Sequence, residues 1–181
     1  VLNTSRGAVV DNSALLTLIQ SGYLHSVVLD VWEGEPRVSL PLLSNVDIAT
    51  PHIAGYSFDG KVNGCQMMFE AICRFLGKSS GWDDQRFNAP IPEPDINLTT
   101  TGLEALRQAV FHAYPILEDD QRMRQILSLS LEEGVARFDQ LRKNYPQRRE
   151  FHRYRVHTNN TTEPILNILY QLGFSHGKSI S

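Results

Sequence analysis

The chain has 181 residues, 41% of them hydrophobic, and its 17 lysines and arginines against 20 aspartates and glutamates give a formal net charge of −3. Such a composition excludes disordered, collagen-like and disulfide-scaffold classes, and it supplies no general electrostatic drive toward nucleic acid or anionic lipid. No apolar run approaches the roughly 20 residues of a membrane-spanning helix, and at roughly 100–200 residues per domain the length allows one domain or two small ones.

Val1-Leu2-Asn3 reads as the end of a buried strand already under way, so the chain is expected to start within a domain. Ser5-Arg6-Gly7 then makes a sharp turn, and Asp11-Asn12-Ser13 can cap a helix that runs to Ser21 and stops at Gly22. Ser26–Val31 is a short β-branched run without alternation, the pattern of a strand covered on both faces in a parallel sheet. A polar loop through Glu33-Gly34-Glu35-Pro36 leads past Leu40–Leu43 to a further strand, Val46–Thr50, which Pro51 ends. Strand, helix, strand, loop and strand in that order make an α/β unit.

From Asp59 to Leu76, Val62, Cys65, Phe69, Ile72, Cys73 and Leu76 recur at helical spacing, and Gly77 closes the helix. The chain's two cysteines both fall on this stripe and read as small buried hydrophobes in a reducing compartment. Residues 78–94, with Ser79-Ser80-Gly81 and three prolines, read as a linker between a first domain at 1–77 and a second at 95–181. Beyond the linker, Ile96–Thr99 is a candidate strand and Thr101 a candidate cap for a helix ended by Pro115. Helical stretches follow near Arg122–Ser130 and Leu131–Tyr145, then an alternating strand at Phe151–His157 and a helix over Thr162–Leu172 stopped by Gly173.

Three polar residues emerge where consecutive strands terminate: Arg6, Asp30 and His52. The carboxyl edge of a parallel sheet is where open α/β folds bind ligands. The guanidinium of Arg6 suits a carboxylate, although the residue taken alone also reads as a surface arginine. Asp30 lies in an apolar strand, where an unpaired carboxylate is costly, and a ligand contact at the strand end explains it. Glu35, in the loop after the Asp30 strand, could reach His52, and a carboxylate–imidazole pair fixes the ring tautomer and makes a good general acid/base. A solvated turn beside a structural histidine is the plain alternative.

Asn3-Thr4-Ser5-Arg6-Gly7-Ala8-Val9-Val10-Asp11, Leu29-Asp30-Val31-Trp32-Glu33-Gly34-Glu35-Pro36 and Thr50-Pro51-His52-Ile53-Ala54-Gly55, in this order, resemble motifs of the NAD-dependent D-2-hydroxyacid dehydrogenases. The second half, through Phe138–Tyr145 and Arg148-Arg149-Glu150, resembles the C-terminal dimerisation domain of a family member that acts on a small phosphorylated hydroxy acid. The resemblance implies the C-terminal part of a Rossmann-type parallel-sheet NAD-binding domain followed by a small α/β dimerisation domain. It implies a cytoplasmic homodimer with NAD as cofactor, and neither a membrane nor a nucleic-acid partner.

Residue by residue, the resemblance implies that Arg6 holds the substrate carboxylate, that His52 carries the proton, and that Glu35 orients His52. It puts Thr4, Ser5, Asp30 and Gly55 against the cofactor and Tyr56 against the substrate.

The chain departs from the family by lacking a Gly-x-Gly-x-x-Gly turn and an acidic ribose reader, which points to a fragment of a longer protein. Another family member with an effector-binding tail, or a non-catalytic dimerisation fragment, are the competing readings. An effector-binding tail is expected to show a β-α-β pattern, whereas residues 95–181 read as mostly helical. The basic run from Arg137 to Arg155 reads as a solvated helix face or as an anion contact at a subunit interface. No histidine has the spacing of a metal ligand.

Overall fold

The computed structural model describes residues 1–83, 93–158 and 163–177. In chain order the elements are β1 (Leu2–Asn3), α1 (Asn12–Gln20), β2 (Val28–Leu29), α2 (Leu40–Leu43), β3 (Ile48–Ala49), α3 (Phe58–Phe75) and β4 (Asp95–Asn97), then α4 (Gly102–Ala113), α5 (Ile116–Arg124), α6 (Leu131–Lys143), β5 (Arg155–His157), α7 (Glu163–Gln171) and β6 (Ser175–His176). Residues 84–92 of the expected linker and Thr162 of the expected last helix lie outside the described residues.

By contacts the chain gathers into two compact units, each built from two segments: Val1–Gly55 with Pro115–Pro146, and Tyr56–Tyr114 with Gln147–Ser181. The sequence, by contrast, suggests a single division at 78–94.

In the first unit β1, β2 and β3 form a parallel sheet in that order, with Leu2 opposite Val28 and Val28 opposite Ile48. Asp11 caps α1 by accepting from the Ser13 and Ala14 amides, and these bonds hold its carboxyl below the usual range. Leu15, Val27, Leu29, Trp32, Leu42, Leu43 and Ala49 make the core together with Met123, Ile126 and Phe138 from the later segment. Helix α5 covers the edge strand β3: Asp120 Oδ1 accepts from the Ala49 amide at 2.8 Å, and Arg124 donates to the Leu43 and Val46 carbonyls at 3.0 and 2.8 Å. The Asp120 bond satisfies an amide that an open sheet edge leaves bare. Helix α6 starts with a capping box in which Ser130 and Glu133 satisfy each other's backbone amides.

The second unit holds a second parallel sheet in the order β4, β5, β6, with Ile96 opposite Val156 and Arg155 opposite Ser175. Ala105, Ala109 and Ala113 recur every four residues along α4 and lie buried with Ile96, Val156, Leu169 and Phe174. The unit contains a β-α-β arrangement, β5-α7-β6, which the sequence reading does not find, because Ser175-His176 carries no strand signal. The expected strand at 151–157 divides into a 3-10 turn at Phe151–Arg153 and β5.

The reason for that division lies at the start of α3. Asp59 is buried and accepts from Arg149 Nη2 and Nε at 2.8 and 2.9 Å, from Arg153 Nε at 3.0 Å, and from the Glu150 amide at 2.9 Å. Burial pushes the Asp59 carboxyl up, but the Arg149 hydrogen bond, the Glu150 amide and the two arginine charges outweigh it and hold the group well below the usual carboxylate range. The basic run is therefore spent largely on internal partners. Arg149 is buried on Asp59, Arg155 pairs with Asp95, and the Arg148 guanidinium lies 4.2 Å from the centre of the Tyr114 ring. Arg149 therefore does not lie on the solvated face that the sequence suggests for this run.

The apolar stripe of α3 is also not what its periodicity predicts. Asp59 is the helix's only buried residue among those described, Cys65 is exposed, Cys73 is half-buried, and Met67, Met68, Ile72 and Phe75 are exposed. Periodicity specifies a helix with one apolar face; it does not supply the surface that covers it. No helix among the described residues is long and apolar enough to cross a membrane.

Candidate active site

Because β1, β2 and β3 run parallel, the residues that follow them leave the sheet at one edge: Arg6 after β1, Asp30 after β2 and His52 after β3. The first turn is held by a residue that sequence reasoning missed. Asn3 is buried, its Nδ2 donates to the Arg6 carbonyl at 3.0 Å, and its Oδ1 accepts from the Ser5 amide at 3.1 Å. A short polar side chain at a strand end signals such a turn. The turn leaves Thr4, Ser5 and Arg6 exposed, with Arg6 Nη1 donating to the Ser5 carbonyl at 2.6 Å. Gly7 then passes so close to the next loop that a Cβ would lie 2.2 Å from the Trp32 carbonyl carbon and oxygen, which only glycine allows.

Trp32 organises the loop after β2. Its side chain is buried, its Nε1 donates to the Thr50 carbonyl at 3.0 Å, and its amide donates to Glu35 Oε2 at 3.1 Å. Held in this way, Glu35 meets His52 Nδ1 with its other oxygen, Oε1. A carboxylate on Nδ1 leaves Nε2 as the ring atom that exchanges a proton with a substrate. Both side chains are about one-quarter exposed, 25% for His52 and 22% for Glu35, so the pair is shielded yet reachable.

His52 has φ +57, in the left-handed region where a side chain other than glycine's costs about 1–3 kcal/mol. Its amide donates to the Asp30 carbonyl at 2.6 Å. The two following amides turn onto the Asp30 carboxylate, Ile53 N at 2.8 Å from Oδ1 and Ala54 N at 2.9 Å from Oδ2, and Thr50 Oγ1 adds a third bond at 2.6 Å. Asp30 is only 3% exposed.

The structure thus brings Glu35 and His52 together and seats Asp30 beneath the His52 turn. Among the described residues no ion pair joins Arg6 to that pair. Gly55 is exposed, and a Cβ there would meet nothing within 4 Å, so the space beside it is open. Tyr56 belongs to the second unit, where the Lys61 ammonium lies 4.3 Å from the centre of its ring.

Residues 1–54 match the family model described as D-isomer specific 2-hydroxyacid dehydrogenase, NAD binding domain. This similarity covers all three strands of the first sheet and the Glu35–His52 pair. Residues 88–173 match a model described as a domain of unknown function, DUF3410. Curated relatives similar to the chain include the erythronate-4-phosphate dehydrogenase of Cellvibrio japonicus (strain Ueda107), 42% identical over 96% of this chain and 47% of the relative. The enzyme of the same name from Photorhabdus laumondii is 43% identical over 97% of this chain and 45% of its own length, and that of Edwardsiella ictaluri is 42% identical over 96% and 45%. The chain spans under half the length of these dehydrogenases.

Proposed function

We propose that the chain is the C-terminal part of an erythronate-4-phosphate dehydrogenase, which oxidises 4-phospho-D-erythronate to 3-hydroxy-2-oxo-4-phosphobutanoate in pyridoxine biosynthesis. The observation that carries this reading is the Glu35–His52 pair at the carboxyl edge of a parallel sheet, within the segment matched by the dehydrogenase model. Oxidation of a hydroxyl-bearing carbon needs a positioned base for the hydroxyl proton and a cation at the neighbouring carboxylate. His52 Nε2 takes the proton, Glu35 holds Nδ1 and favours the imidazolium that forms, and Arg6 grips the carboxylate from its exposed turn.

The sheet edge fits the nicotinamide end of a dinucleotide: Thr4 and Ser5 are exposed there, and the space at Gly55 is open. NAD, when bound, supplies the hydride acceptor. Thr4, Ser5, Asp30 and Gly55 line its side of the site, and Tyr56 faces the substrate. Since β5-α7-β6 is a β-α-β arrangement, that pattern no longer separates an effector-binding tail from a dimerisation domain; the similarity of the relatives across 96% of this chain, tail included, supports an erythronate-4-phosphate dehydrogenase over another member of the family. The protein acts in the cytoplasm as a homodimer joined through residues 95–181, a reading supported by Leu103, Ile168 and Leu172, which remain exposed on and beside α4 and α7.

The test is NADH production from 4-phospho-D-erythronate by the full-length protein. His52→Ala lowers turnover about 10²–10⁴-fold with little change in NAD affinity. Arg6→Lys weakens both substrate affinity and turnover, because an ammonium cannot reproduce a two-pronged grip on a carboxylate. Near-normal turnover of His52→Ala across pH refutes the reading.

A further inference from the structure

We infer that Asp30 is a positioning residue for His52: its buried carboxylate is the anion around which the His52 turn is wound. This rests on the reading of His52 as the proton carrier and adds a role beyond a contact to the cofactor. Three successive amides converge on Asp30, that of His52 on its carbonyl and those of Ile53 and Ala54 on its carboxylate. Consecutive N–H groups point to one centre when a left-handed residue lies among them, and the concavity they form binds an anion. His52 is the left-handed residue, and Asp30 supplies the anion from within the chain. Thr50 Oγ1 completes the set from the end of β3.

The consequence is geometric. The conformation that turns Ile53 N and Ala54 N inward is the same one that directs the His52 ring to Glu35. Glu35 is itself fixed by the Trp32 amide, and Trp32 by the Thr50 carbonyl, so both members of the pair are referred to the ends of β2 and β3. Asp30→Asn replaces one acceptor oxygen by a donor that opposes one of the converging N–H groups. Without the full carboxylate the turn relaxes toward ordinary backbone geometry and carries the imidazole away from Glu35.

The experiment compares Asp30→Asn with the unaltered full-length protein. Turnover falls on the order of 10–100-fold, as expected for a misplaced reacting group. The pH profile of kcat/KM changes along with turnover, because Glu35 no longer holds the imidazole that carries the proton. NAD affinity falls by a smaller factor than turnover does. Thr50→Val, which removes one donor and keeps the carboxylate, gives a smaller change in the same direction.

Proton NMR supplies a readout independent of activity. The His52 Nδ1 proton held by Glu35 resonates far downfield in the unaltered protein and is lost in Asp30→Asn, together with exchange protection of the Ile53 and Ala54 amides. If Asp30→Asn keeps this resonance and its pH profile while NAD affinity drops tenfold or more, Asp30 serves the cofactor and the inference is overturned. If the resonance responds as described in a protein that shows no dehydrogenase activity, the positioning role stands and the proposed function fails.

Discussion

Replacing Asp59 by asparagine removes a carboxylate that holds the buried Arg149 guanidinium and leaves that charge in a dry setting, where breaking one member of a buried pair costs about 3–5 kcal/mol. Arg153 contributes little to this figure, since its side chain is 36% exposed and can turn to water. Total stability of a domain is about 5–15 kcal/mol, so the variant loses a large share of it. Urea unfolding followed by circular dichroism measures the loss, and amide hydrogen exchange locates it in peptides from 95–114 and 147–158. A second variant checks the cause: Asp59→Leu combined with Arg149→Met removes both charges together and recovers most of the stability, because buried pairs are often replaceable by apolar groups of similar volume.

The pH dependence has a definite sign. The Asp59 carboxyl is held below its ordinary value, so its contribution is fully present above about pH 4 and is lost as pH falls toward its depressed folded value. The stability gap between the unaltered protein and Asp59→Asn is therefore flat from about pH 7 to 5 and closes only in stronger acid. An Asp59→Asn protein within about 1 kcal/mol of the original, or a gap that closes as pH rises, refutes this account of the ion cluster.

Gly7→Ala forces a Cβ into the Trp32 backbone at 2.2 Å and lowers stability by about 3 kcal/mol, read as a drop in melting midpoint; an unchanged midpoint shows that the close approach is not needed. Ser130→Ala opens the capping box of α6 and costs about 1 kcal/mol in urea unfolding, with faster exchange of the amides at 131–133; equal exchange in the two proteins counts against it. His52→Gly is at least as stable as His52→Ala, since glycine accepts φ +57 without strain, and a lower urea midpoint for the glycine variant contradicts the strain assignment.

Features set by local chemistry are legible in the sequence. Asp11 caps α1 as its neighbours predict, and Gly22, Gly77 and Gly173 take positive φ after the helices they end. The Glu35–His52 pair is legible because parallel strands send their following residues to one edge, so residues 17 apart in the chain meet. Partners that act through backbone groups leave no such trace. Nothing about Trp32 or Thr50 in isolation says that an indole holds a strand-end carbonyl or that a hydroxyl caps a buried aspartate. The turn at Phe151–Arg153 reads as strand because its alternation is genuine, but the chain just before it is captured by Asp59, 90 residues distant from Arg149, and no local pattern carries that. The uncovered stripe of α3 is a similar case.

The interleaving of the two units bears on how the chain acquires its structure during synthesis. At roughly 5–20 residues per second from the N-terminus, the strands of the first sheet emerge early, yet Met123, Ile126 and Phe138 of the same core follow only after all of α3, β4 and α4. Strand β4 waits in turn for β5, whose Arg155 lies 60 residues beyond its partner Asp95. A nascent chain stalled ahead of Met123 closes neither core, and the two units reach completion in quick succession as the final segment arrives.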